Sequence, residues 1–526
     1  NDQSQHYQFA LTVYESLKSG DVYPSFADWT NHGFGDYGLR FYPPLTYYVL
    51  AVLRLATGDW FFASLLALTI MFFAGAVGIL LWTRELFDER IALIAAALYT
   101  FIPYHLNEVY NNYLLAEFFA SAILPFCFWR LDRLMRQPNV TNIMLLSAAT
   151  SLLVLTHLPL TLIGGIAITV YAICLIEKIK FTRQLLCVLV TGCLTAGMTA
   201  FYWSRWLPEL AWITHNTEKY FSTTWDYRTN FLLLPSHWTS LGEDVLNLWF
   251  ADLMLIVAIL IAIPSLIIAI KSRDRIRTLL PLIIGVAVAA AFTTPITKPL
   301  WASLGFLQRV QFPWRWLAVA SMFAAVLGAF GIARGTAASR EKGFVVPALT
   351  ALSLAGVAFM AVLIVRTPVY VTRAALNAEI ASFDESTGCD CWWPIWARPE
   401  AFAQRENVVA GDRAVNIKSW SPRERVFIVA PGSALSATAK TWYYPRWQAT
   451  VNGVAIEPHP DANGALTIDV APATSDVSLR FVEPGYVGVA TMVSFFSWVI
   501  VLLASALLLV KSRGRAAETS RTFDAS

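Results

Sequence analysis

The chain has 526 residues, of which 56% are hydrophobic and only 14% are charged, whereas ordinary soluble domains are roughly 25% charged. Its 39 basic and 36 acidic residues leave a net charge of +3, so bulk charge points to no particular partner. This composition excludes a soluble multidomain enzyme, a disordered chain, a nucleic-acid-binding protein and a disulfide scaffold. It predicts a membrane protein with several spanning helices.

The first 59 residues are polar and aromatic, and they precede the first long apolar run. Residues 1–18 lack the pattern of a signal peptide, and we expect a membrane helix upstream of them. Asp2 and His6 are four positions apart, which places them on one face if residues 4–18 form a helix.

A loop rich in glycine, proline and aromatic residues follows, and it contains Arg40 and Tyr42. Its aromatic residues are either anchors at the membrane interface or the walls of a cleft for a polar ligand, and the sequence leaves both interpretations open. Residues 43–58 are apolar but short, so we expect an interfacial or re-entrant helix that starts at Pro44.

Eleven later runs have about the length and apolar character that a membrane-spanning helix requires. They lie at 60–82, 90–104, 113–130, 140–156, 158–177, 184–203, 246–270, 278–294, 314–333, 344–366 and 487–510. Lys and Arg concentrate in every second connecting loop, which predicts that those loops are cytoplasmic. The segments expected to face outward are 1–59, 104–112, 204–245, 295–313 and 367–486.

The outer segment 367–486 differs from the rest of the chain. Alternating runs at 425–430, 465–471 and 476–482 predict half-buried strands, and two Asn-Gly pairs predict tight turns. We therefore expect a small β-sandwich there. The predicted domains are a transmembrane core at 1–366 that includes the outer loop 1–59, a β-rich domain at 367–486, and a last helix with a cytoplasmic tail at 487–526.

The six cysteines fall into two groups. Cys127, Cys174, Cys187 and Cys193 lie in predicted spans, where cysteine usually serves as a small apolar core residue. Cys389 and Cys391 lie in the outer domain, in a compartment that permits disulfides. Their redox state is open at this point.

Acidic and histidine side chains at the outer ends of the spans are candidate functional groups, because ionisable residues at membrane depth are costly. Glu108 lies in the loop before the span 113–130, and Glu117 lies a turn or more inside that span. The alternative for Glu117 is a carboxylate satisfied by a neighbouring helix. His157 lies between two spans, where it is either a substrate ligand or a capping residue.

Arg309 and Arg315 place positive charge on the outer side, against the charge bias of the loops. Arginine binds phosphate in a bidentate manner, so both residues, together with Arg205 at the outer end of the span 184–203, are candidate phosphate ligands. The alternative is that these side chains bind lipid headgroups or extend to the interface.

Five segments, taken in order, resemble a known bacterial family. They are YPSFADWTNHGFGDYGLRFYPPLTYYV, PYHLNEVYNNYLLAEFFA, LLVLTHLPL, RVQFPWRWLAV and TWYYPRWQATVNG. The chain resembles bacterial polytopic membrane proteins labelled 6-pyruvoyl-tetrahydropterin synthase-related, which are similar to type C (GT-C) glycosyltransferases. Nothing in the chain resembles the soluble enzyme of that label.

This resemblance implies a mainly α, GT-C-type bundle of membrane helices with a small extracytoplasmic β-sandwich, located in the bacterial inner membrane. It implies transfer of a sugar from a polyprenyl-phosphate donor to an acceptor on the extracytoplasmic side. Asp2 matches the catalytic acid of the first outer loop, and Glu117, or less closely Glu108, matches a second acidic residue. Relatives often carry Arg where this chain has Asn112, which transfers phosphate binding to Arg309 and Arg315.

The mechanism implied by the resemblance uses Asp2 as the base, with a divalent cation, Mg²⁺ or Mn²⁺, as a further expectation at Asp2 and Glu117. The candidate substrate ligands are His6, Arg40, Tyr42, His157, Arg205, Arg309 and Arg315. The expected partners are the lipid-linked donor, membrane lipids and partner proteins of a membrane complex, with no nucleic acid.

Two alternatives stay open. The chain could be a non-catalytic accessory or structural subunit with the same fold, to which the Asn112 difference gives weight. It could also be a lipid or sugar transporter, but a transporter would place its charged residues at the middle of the membrane, whereas the candidates here lie near the outer face.

Overall fold

The computed structural model describes residues 2–217, 220, 226–239, 243–271, 275–337, 345–383 and 386–523. Parts of the predicted outer loop 204–245 and of the predicted cytoplasmic loops around 272–274 and 338–344 lie outside the described residues. The described chain is mainly helical, with two antiparallel β-sheets towards its C-terminal end.

The N-terminal half contains eight helices of at least 12 residues in the described ranges. They are α1 (Gln3–Lys18), α2 (Leu45–Thr57), α3 (Trp60–Leu86), α4 (Glu89–Thr100), α5 (Leu115–Arg136), α6 (Val140–Val154), α7 (Leu158–Cys174) and α8 (Phe181–Met198). Short helical segments lie at Gly38–Phe41, Pro103–Asn107, Glu108–Asn112 and Ala200–Trp206. The predicted helix after Pro44 is α2, for which Pro44 is the N-cap residue.

The later helices complete the membrane part and flank the β-sheets. They are α9 (Glu243–Lys271), α10 (Ile276–Thr293), α11 (Leu317–Ala337), α12 (Val345–Arg366), α13 (Arg373–Ala381) and α14 (Gly485–Phe523). Short helical segments lie at Pro235–Thr239, Lys298–Ser303, Gly305–Gln308 and Pro313–Trp316.

Each of the eleven predicted spans overlaps one long helix, and three of them (90–104, 184–203 and 314–333) also overlap a short helical segment. By length and composition, seven helices of the described chain qualify as membrane spans, which confirms a polytopic membrane protein. The other four predicted spans correspond to α4, α5, α6 and α7. Three of these have only 12, 15 and 17 residues, and α5 carries several charged residues, so the count of eleven stays a prediction.

Helix α11 lies at the centre of the bundle. In its most apolar stretch of 18 residues, 94% of the residues are buried, compared with 17% in the corresponding stretch of α14. It packs against α4, α9 and α10, and Phe323 contacts the ring of Trp82 in α3. The segment that precedes α11 therefore enters the bundle at its middle, and this segment carries Arg315.

The predicted β-sandwich is confirmed. Its strands are β1 (Val408–Val409), β2 (Val415–Ser421), β3 (Glu424–Val429), β4 (Ser436–Trp442), β5 (Trp447–Val451), β6 (Val454–Ile456), β7 (His459–Pro460), β8 (Ala465–Asp469) and β9 (Ser475–Phe481). One sheet has the order β1-β4-β8-β7 and the other β2-β3-β9-β5-β6. The predicted runs at 425–430, 465–471 and 476–482 are β3, β8 and β9.

The turn between β5 and β6 shows why an Asn-Gly pair suits a hairpin. Asn452 and Gly453 have φ angles of 51° and 80°, and a two-residue hairpin turn with positive φ at both positions favours these two residue types. The register pairs Val451 with Val454 across the turn.

The aromatic loop before α2 packs into the β-domain. The backbone N–H of Trp442 donates to the carbonyl oxygen of Phe34 at 2.9 Å, and the rings of Tyr37 and Tyr444 stack at 4.1 Å. Tyr37 and Phe41 are buried in this core. The loop aromatics therefore do not form the membrane-interface belt that was one interpretation of the sequence; Tyr37 and Phe41 join the sandwich to the membrane part.

A buried ion cluster reinforces this joint. The Arg40 guanidinium donates to both oxygens of Glu209, at 2.9 and 2.8 Å, and to both oxygens of Glu483, at 2.6 and 3.1 Å. Glu209 also accepts from Arg446 at 2.7 Å, and Arg205 lies 3.4 Å from Glu483. Every charge of this cluster faces an opposite charge.

The cysteines largely follow expectation. Cys389 and Cys391 form a disulfide, which settles the open question of their pairing. Cys127 and Cys187 are buried and Cys174 is partly buried. Cys193 is exposed on α8, so the expectation of a core position is wrong for this residue, whose side chain lies on the outside of the helix bundle.

Candidate functional site

Asp2 and His6 lie at the start of α1, as predicted. Asp2 is the exposed N-cap residue of this helix, and its carbonyl oxygen accepts from the His6 backbone at 3.0 Å. The His6 ring is buried, and its Nδ1 lies 3.0 Å from the Tyr47 hydroxyl. Burial lowers the pKa of His6 to about 4, against a weaker opposing effect of the Asp2 charge, so this ring is neutral near pH 7.

Glu117 and Arg315 form a buried ion pair at the N-terminal end of α5. The Nε of Arg315 donates to Oε2 of Glu117 at 2.9 Å, and the Tyr104 hydroxyl donates to Oε1 at 2.9 Å. The Arg315 Nη1 donates to the carbonyl oxygen of Val310 at 2.7 Å and to Gln311 Oε1 at 3.3 Å. Among the described residues, Nη2 of Arg315 makes no hydrogen bond, so this nitrogen can serve a ligand.

His157 takes the capping role, and its role as a substrate ligand stays a prediction. Its Nδ1 accepts from the backbone N–H of Leu160 at 3.3 Å and caps α7. Its Nε2 lies 3.9 Å from Oε2 of Glu117. Burial and the nearby charge of Arg315 hold the pKa of His157 well below its usual value, so His157 is neutral and can donate from Nε2.

Glu108 is a fully buried carboxyl group beside the ion pair. Its Oε1 accepts from Asn112 Nδ2 at 3.5 Å, and no described residue is hydrogen-bonded to Oε2. Burial first, and then the charge of Glu117, raise the pKa of Glu108 well above its usual value. The protonated form is therefore favoured for Glu108.

A cavity of about 540 Å³ borders this cluster. Its walls are mostly apolar, and their residues come from several separate segments of the chain. They include Phe41, Pro43, Leu158, Pro159, Leu162, Leu207, Leu210 and Phe306. Its polar lining includes His157, Arg309, Gln311 and Arg315. The cavity thus combines a mostly apolar lining with two arginine side chains.

An aromatic pair closes another side of this cavity. The rings of His215 and Trp392 stack at 4.8 Å and 7°, and the His215 Nε2 lies 3.1 Å from Gln311 Nε2. Gln311 has a φ of 69°, an uncommon conformation for a residue other than glycine. Arg309 donates to Asn216 Oδ1 at the same side.

The structure brings most of the predicted site residues together. The cavity lining includes Tyr42, His157, Arg309 and Arg315. Glu117 contacts Arg315 of this lining, and the His6 ring lies edge-on to Tyr42. Glu108 and Asp2 have no direct contact with the lining among the described residues.

Arg40 and Arg205 lie elsewhere. They belong to the ion cluster at the joint with the β-domain, where Arg40 is fully buried and both of its partners are carboxylates. Neither arginine lines the cavity, so the substrate role predicted for Arg40 and Arg205 stays a prediction.

Sequence reasoning missed Tyr104, His215, Gln311 and Trp392. Gln311 stands four positions before Arg315 in the QFPWR segment, so this spacing was a usable signal for a shared site. His215 and Trp392 come from irregular segments 177 positions apart, and no sequence pattern links them.

The predicted cation at Asp2 and Glu117 finds little support in this geometry. Both oxygens of Glu117 are hydrogen-bonded, one of them to the positive group of Arg315. Among the described residues, no cluster of three or more His, Cys, Asp and Glu side chains is placed to hold a metal ion. The cation stays a prediction, and we derive no step that uses it.

Comparison with protein families gives one match that covers most of the membrane part. Residues 39–373 match the family described as "6-pyruvoyl-tetrahydropterin synthase related domain; membrane protein". An uncharacterized protein from Lactococcus lactis subsp. cremoris (strain MG1363) is 22% identical over 218 residues, which are 38% of this chain. The chain matches only 34% of that relative's length.

Solved structures show only a distant likeness. ArnT from Cupriavidus metallidurans bound to undecaprenyl phosphate gives a TM-score of 0.37 at 15% identity, over 72% of this chain and 70% of that one. The Archaeoglobus fulgidus oligosaccharyltransferase AglB, in complex with an inhibitory peptide and a dolichol-phosphate, gives 0.37 at 13% identity, over 74% and 52%. TM-scores below 0.5 do not establish a common fold, and no inference below rests on them.

Proposed function

The chain belongs to the 6-pyruvoyl-tetrahydropterin synthase-related family of membrane proteins, which its residues 39–373 match, and we propose that it is a membrane glycosyltransferase of GT-C type. It transfers a hexose or pentose from a polyprenyl-phosphate donor to an acceptor hydroxyl. We place the reaction on the extracytoplasmic side of the bacterial inner membrane, where the predicted orientation puts Asp2 and the β-domain.

The observation that carries this proposal is the cavity that Arg315 lines. Its apolar walls suit a hydrocarbon chain, and its arginine side chains suit an anionic headgroup. Ligand sites are usually apolar cavities with a few polar groups that fix the orientation of the ligand. An amphiphile with a phosphate at one end matches this distribution of charge.

Arg315 is the proposed phosphate ligand. Its Nε and Nη1 hold Glu117, Val310 and Gln311, so the guanidinium group is fixed before the donor binds. A fixed positive group stabilises charge that develops on a leaving phosphate without the cost of rearrangement. Glu117 then acts as a positioning residue for Arg315, with His157 and Arg309 as further polar groups of the same cavity.

Asp2 is the proposed base. Asp2 is exposed at the start of α1, where an acceptor can reach it, one helical turn before the buried His6 ring. In the proposed step the acceptor oxygen bonds to the anomeric carbon, and the bond from that carbon to the phosphate oxygen breaks. The acceptor proton passes to Asp2, and polyprenyl phosphate leaves with the bonding electrons.

Three other residues have supporting roles in the proposal. The neutral His6 ring orients substrate close to Asp2. Tyr42, which lines the cavity, contacts the sugar. Glu108, which is fully buried and does not line the cavity, supports the neighbouring pair of Glu117 and Arg315.

The test is sugar transfer by the full chain in nanodiscs, with synthetic polyprenyl-phosphate hexoses and pentoses as donors and isolated cell envelopes as the acceptor source. Asp2→Asn should reduce the rate by at least ~100-fold, since a general base typically contributes 10²–10⁴-fold. The matched control is Asp412→Asn at an exposed position of the β-domain, which should leave the rate unchanged. Transfer by Asp2→Asn at the wild-type rate contradicts the proposed role of Asp2.

A further inference from the structure

A second cavity lies where α1, α13 and the joint between α2 and α3 meet. Its volume is about 580 Å³, and it shares no lining residue with the cavity that Arg315 lines. We call this space the α2–α3 groove. The lining residues that matter for its chemistry are Glu15, Trp29, Arg54, Asp59, Asn377 and Ala381. The groove is therefore a separate place where a ligand can bind.

Arg54 is the cation of the α2–α3 groove. Its guanidinium group lies over the rings of Tyr14 and Trp60, at 5.1 and 5.7 Å from their centroids, and the two rings restrict the direction of the side chain. Among the described residues, none is hydrogen-bonded to Nε of Arg54, and none forms an ion pair with its guanidinium group. Arg54 is thus held in position without an anionic partner.

The two carboxylates that line the groove already have cations of their own. Asp59 accepts from Nε of Arg373 at 2.9 Å, and Glu15 pairs with Lys18 at 3.1 Å. The charged side chains of the lining, taken together with these partners, therefore leave the positive charge of Arg54 uncompensated. This charge favours an anion, and a guanidinium group can bind a phosphate with two parallel N–H donors.

The groove lies at one end of a membrane span. Helix α3 is one of the seven helices that qualify as spans, and Trp60 is its first residue. Trp29 and Trp60 both line the groove, and tryptophan is enriched where a span meets the lipid headgroups. Both helices expose apolar side chains within about two turns of the groove, at Val52, Leu55, Phe62, Leu65 and Leu66. In a bilayer these side chains contact acyl chains, which places the groove at headgroup depth.

We propose that the α2–α3 groove binds the headgroup of one phosphatidylglycerol molecule. The Arg54 guanidinium group binds the phosphate, and the acyl chains lie along the exposed apolar side chains of α2 and α3. The glycerol hydroxyls donate to the Glu15 carboxylate and to the amide oxygen of Asn377, whose Nδ2 is already directed to Asp59 at 3.1 Å. The lipid site is independent of the proposed sugar transfer, because the groove and the cavity share no lining residue.

The choice of this headgroup follows from the charges and acceptors of the groove. Phosphatidylglycerol carries one negative charge, which the one uncompensated cation of the described lining matches, and its hydroxyls can donate hydrogen bonds. A phosphatidylcholine headgroup has the same phosphate but no hydroxyl, and it brings a positive charge towards Arg54. The bound lipid contacts α1, α2 and α13 together, so it stabilises the position of α1, the helix that starts next to Asp2.

The first test is native mass spectrometry of the full chain, delipidated in a neutral detergent and titrated with phosphatidylglycerol or with phosphatidylcholine of the same acyl chains. Wild-type protein should bind one phosphatidylglycerol about tenfold more tightly than phosphatidylcholine, because the site provides hydrogen bonds between charged groups. Arg54→Gln should remove this preference. Arg366→Gln is the matched control and should keep it, because Arg366 is exposed at the end of α12 and lines neither cavity. Equal binding of both lipids by wild-type protein, or an unchanged preference in Arg54→Gln, overturns the proposal.

A second pair of variants tests the location without altering a charge. Ala381 lines the groove and is exposed, so Ala381→Trp should fill part of the groove and remove the preference for phosphatidylglycerol. Ala375→Trp is the control, because Ala375 is exposed on the same helix but outside the groove lining. A preference that survives Ala381→Trp contradicts the proposed location.

Two competitors identify the source of the phosphate. Glycerophosphoglycerol has the same headgroup without acyl chains, and at equal concentration it should not displace the bound lipid. If it does, the groove is a site for a soluble phosphodiester and the assignment to a lipid is wrong. Undecaprenyl phosphate has no headgroup hydroxyls, so equimolar amounts should leave phosphatidylglycerol bound. Displacement by undecaprenyl phosphate would assign the groove to the donor lipid and overturn the proposal.

Discussion

The guanidinium group of Arg315 donates from Nε to the Glu117 carboxylate over 2.9 Å, although 198 positions separate the two residues in the chain. Both side chains are buried, and each comes from the start of a helix that lies within the bundle. This pair therefore connects the start of α11 to the start of α5, and it holds Arg315 at the cavity that Arg315 lines.

Breaking this pair from either side should destabilise the protein. Glu117→Gln or Arg315→Gln leaves a buried charge without its partner, which typically costs about 3–5 kcal/mol. The double variant should lose less than the sum of the two, with a coupling free energy of about 1–3 kcal/mol. Unfolding by denaturant in detergent gives the free energy of unfolding of the wild type, the two single variants and the double variant. Strictly additive losses would show that the two side chains do not interact.

Arg40 should matter for stability and not for donor binding. Arg40→Met leaves Glu209 and Glu483 without their shared cation, so we expect a loss of about 3–5 kcal/mol in unfolding free energy. Arg423→Met, which removes an exposed pair with Asp21, should cost less than about 1 kcal/mol. An Arg40→Met protein that folds normally but fails to bind donor would contradict this prediction and would indicate that Arg40 binds substrate.

Stability should decrease as the pH falls below 4.5, with Glu483 as one cause. The Arg40 hydrogen bond and charge lower the pKa of Glu483 from 4.5 to about 2 in the folded protein. A lowered carboxyl pKa contributes stability above the unfolded-state value, and this contribution disappears as the pH falls from 4.5 towards 2. Its size is roughly 2–4 kcal/mol. Tm measured against pH should fall less steeply for Glu483→Gln, and identical slopes would contradict this assignment.

The apolar wall can be tested without altering any charge. Leu162 lines the cavity, so Leu162→Trp should fill part of it and weaken the binding of a polyprenyl chain by about tenfold or more, since one lost apolar contact is worth 1–3 kcal/mol. Leu189→Trp is the matched control, because Leu189 is 58% exposed on α8. Equal binding by the two variants would mean that the lipid lies outside this cavity.

The sequence predicts the parts of the fold that depend on local pattern. Apolar runs locate the membrane helices, and alternation locates β3, β8 and β9, because these periodicities belong to the elements themselves. The orientation of the membrane part, drawn from loop charges, stays a prediction. Helices α4, α6 and α7 show the limit of this reasoning, because they are shorter than the runs that predicted them.

The sequence points to candidate site residues where charged side chains are rare. It does not show which of these side chains form ion pairs in the folded chain. Glu117 stood out because a carboxylate inside a membrane helix requires a partner or a function. Arg315 stood out because its charge opposes the charge bias of the loops, and Asp2 because of the family resemblance. Arg40 was a candidate from a loop interpreted as a cleft, yet its partners Glu209 and Glu483 are 169 and 443 positions away. Only the folded chain shows that Arg40 is already neutralised and that Arg315 retains a nitrogen for a ligand.

The most direct test of the account is the affinity of the purified chain for undecaprenyl phosphate, compared with undecaprenol, which lacks the phosphate. Wild-type protein should prefer the phosphate by about 10- to 100-fold, because a hydrogen bond to a charged group contributes about 1.5–3 kcal/mol. Arg315→Gln protein, shown by its Tm to be folded at the assay temperature, should lose this preference and bind the two lipids alike. A wild-type chain without preference, or an unchanged preference in Arg315→Gln, would contradict the assignment of this cavity to a lipid phosphate.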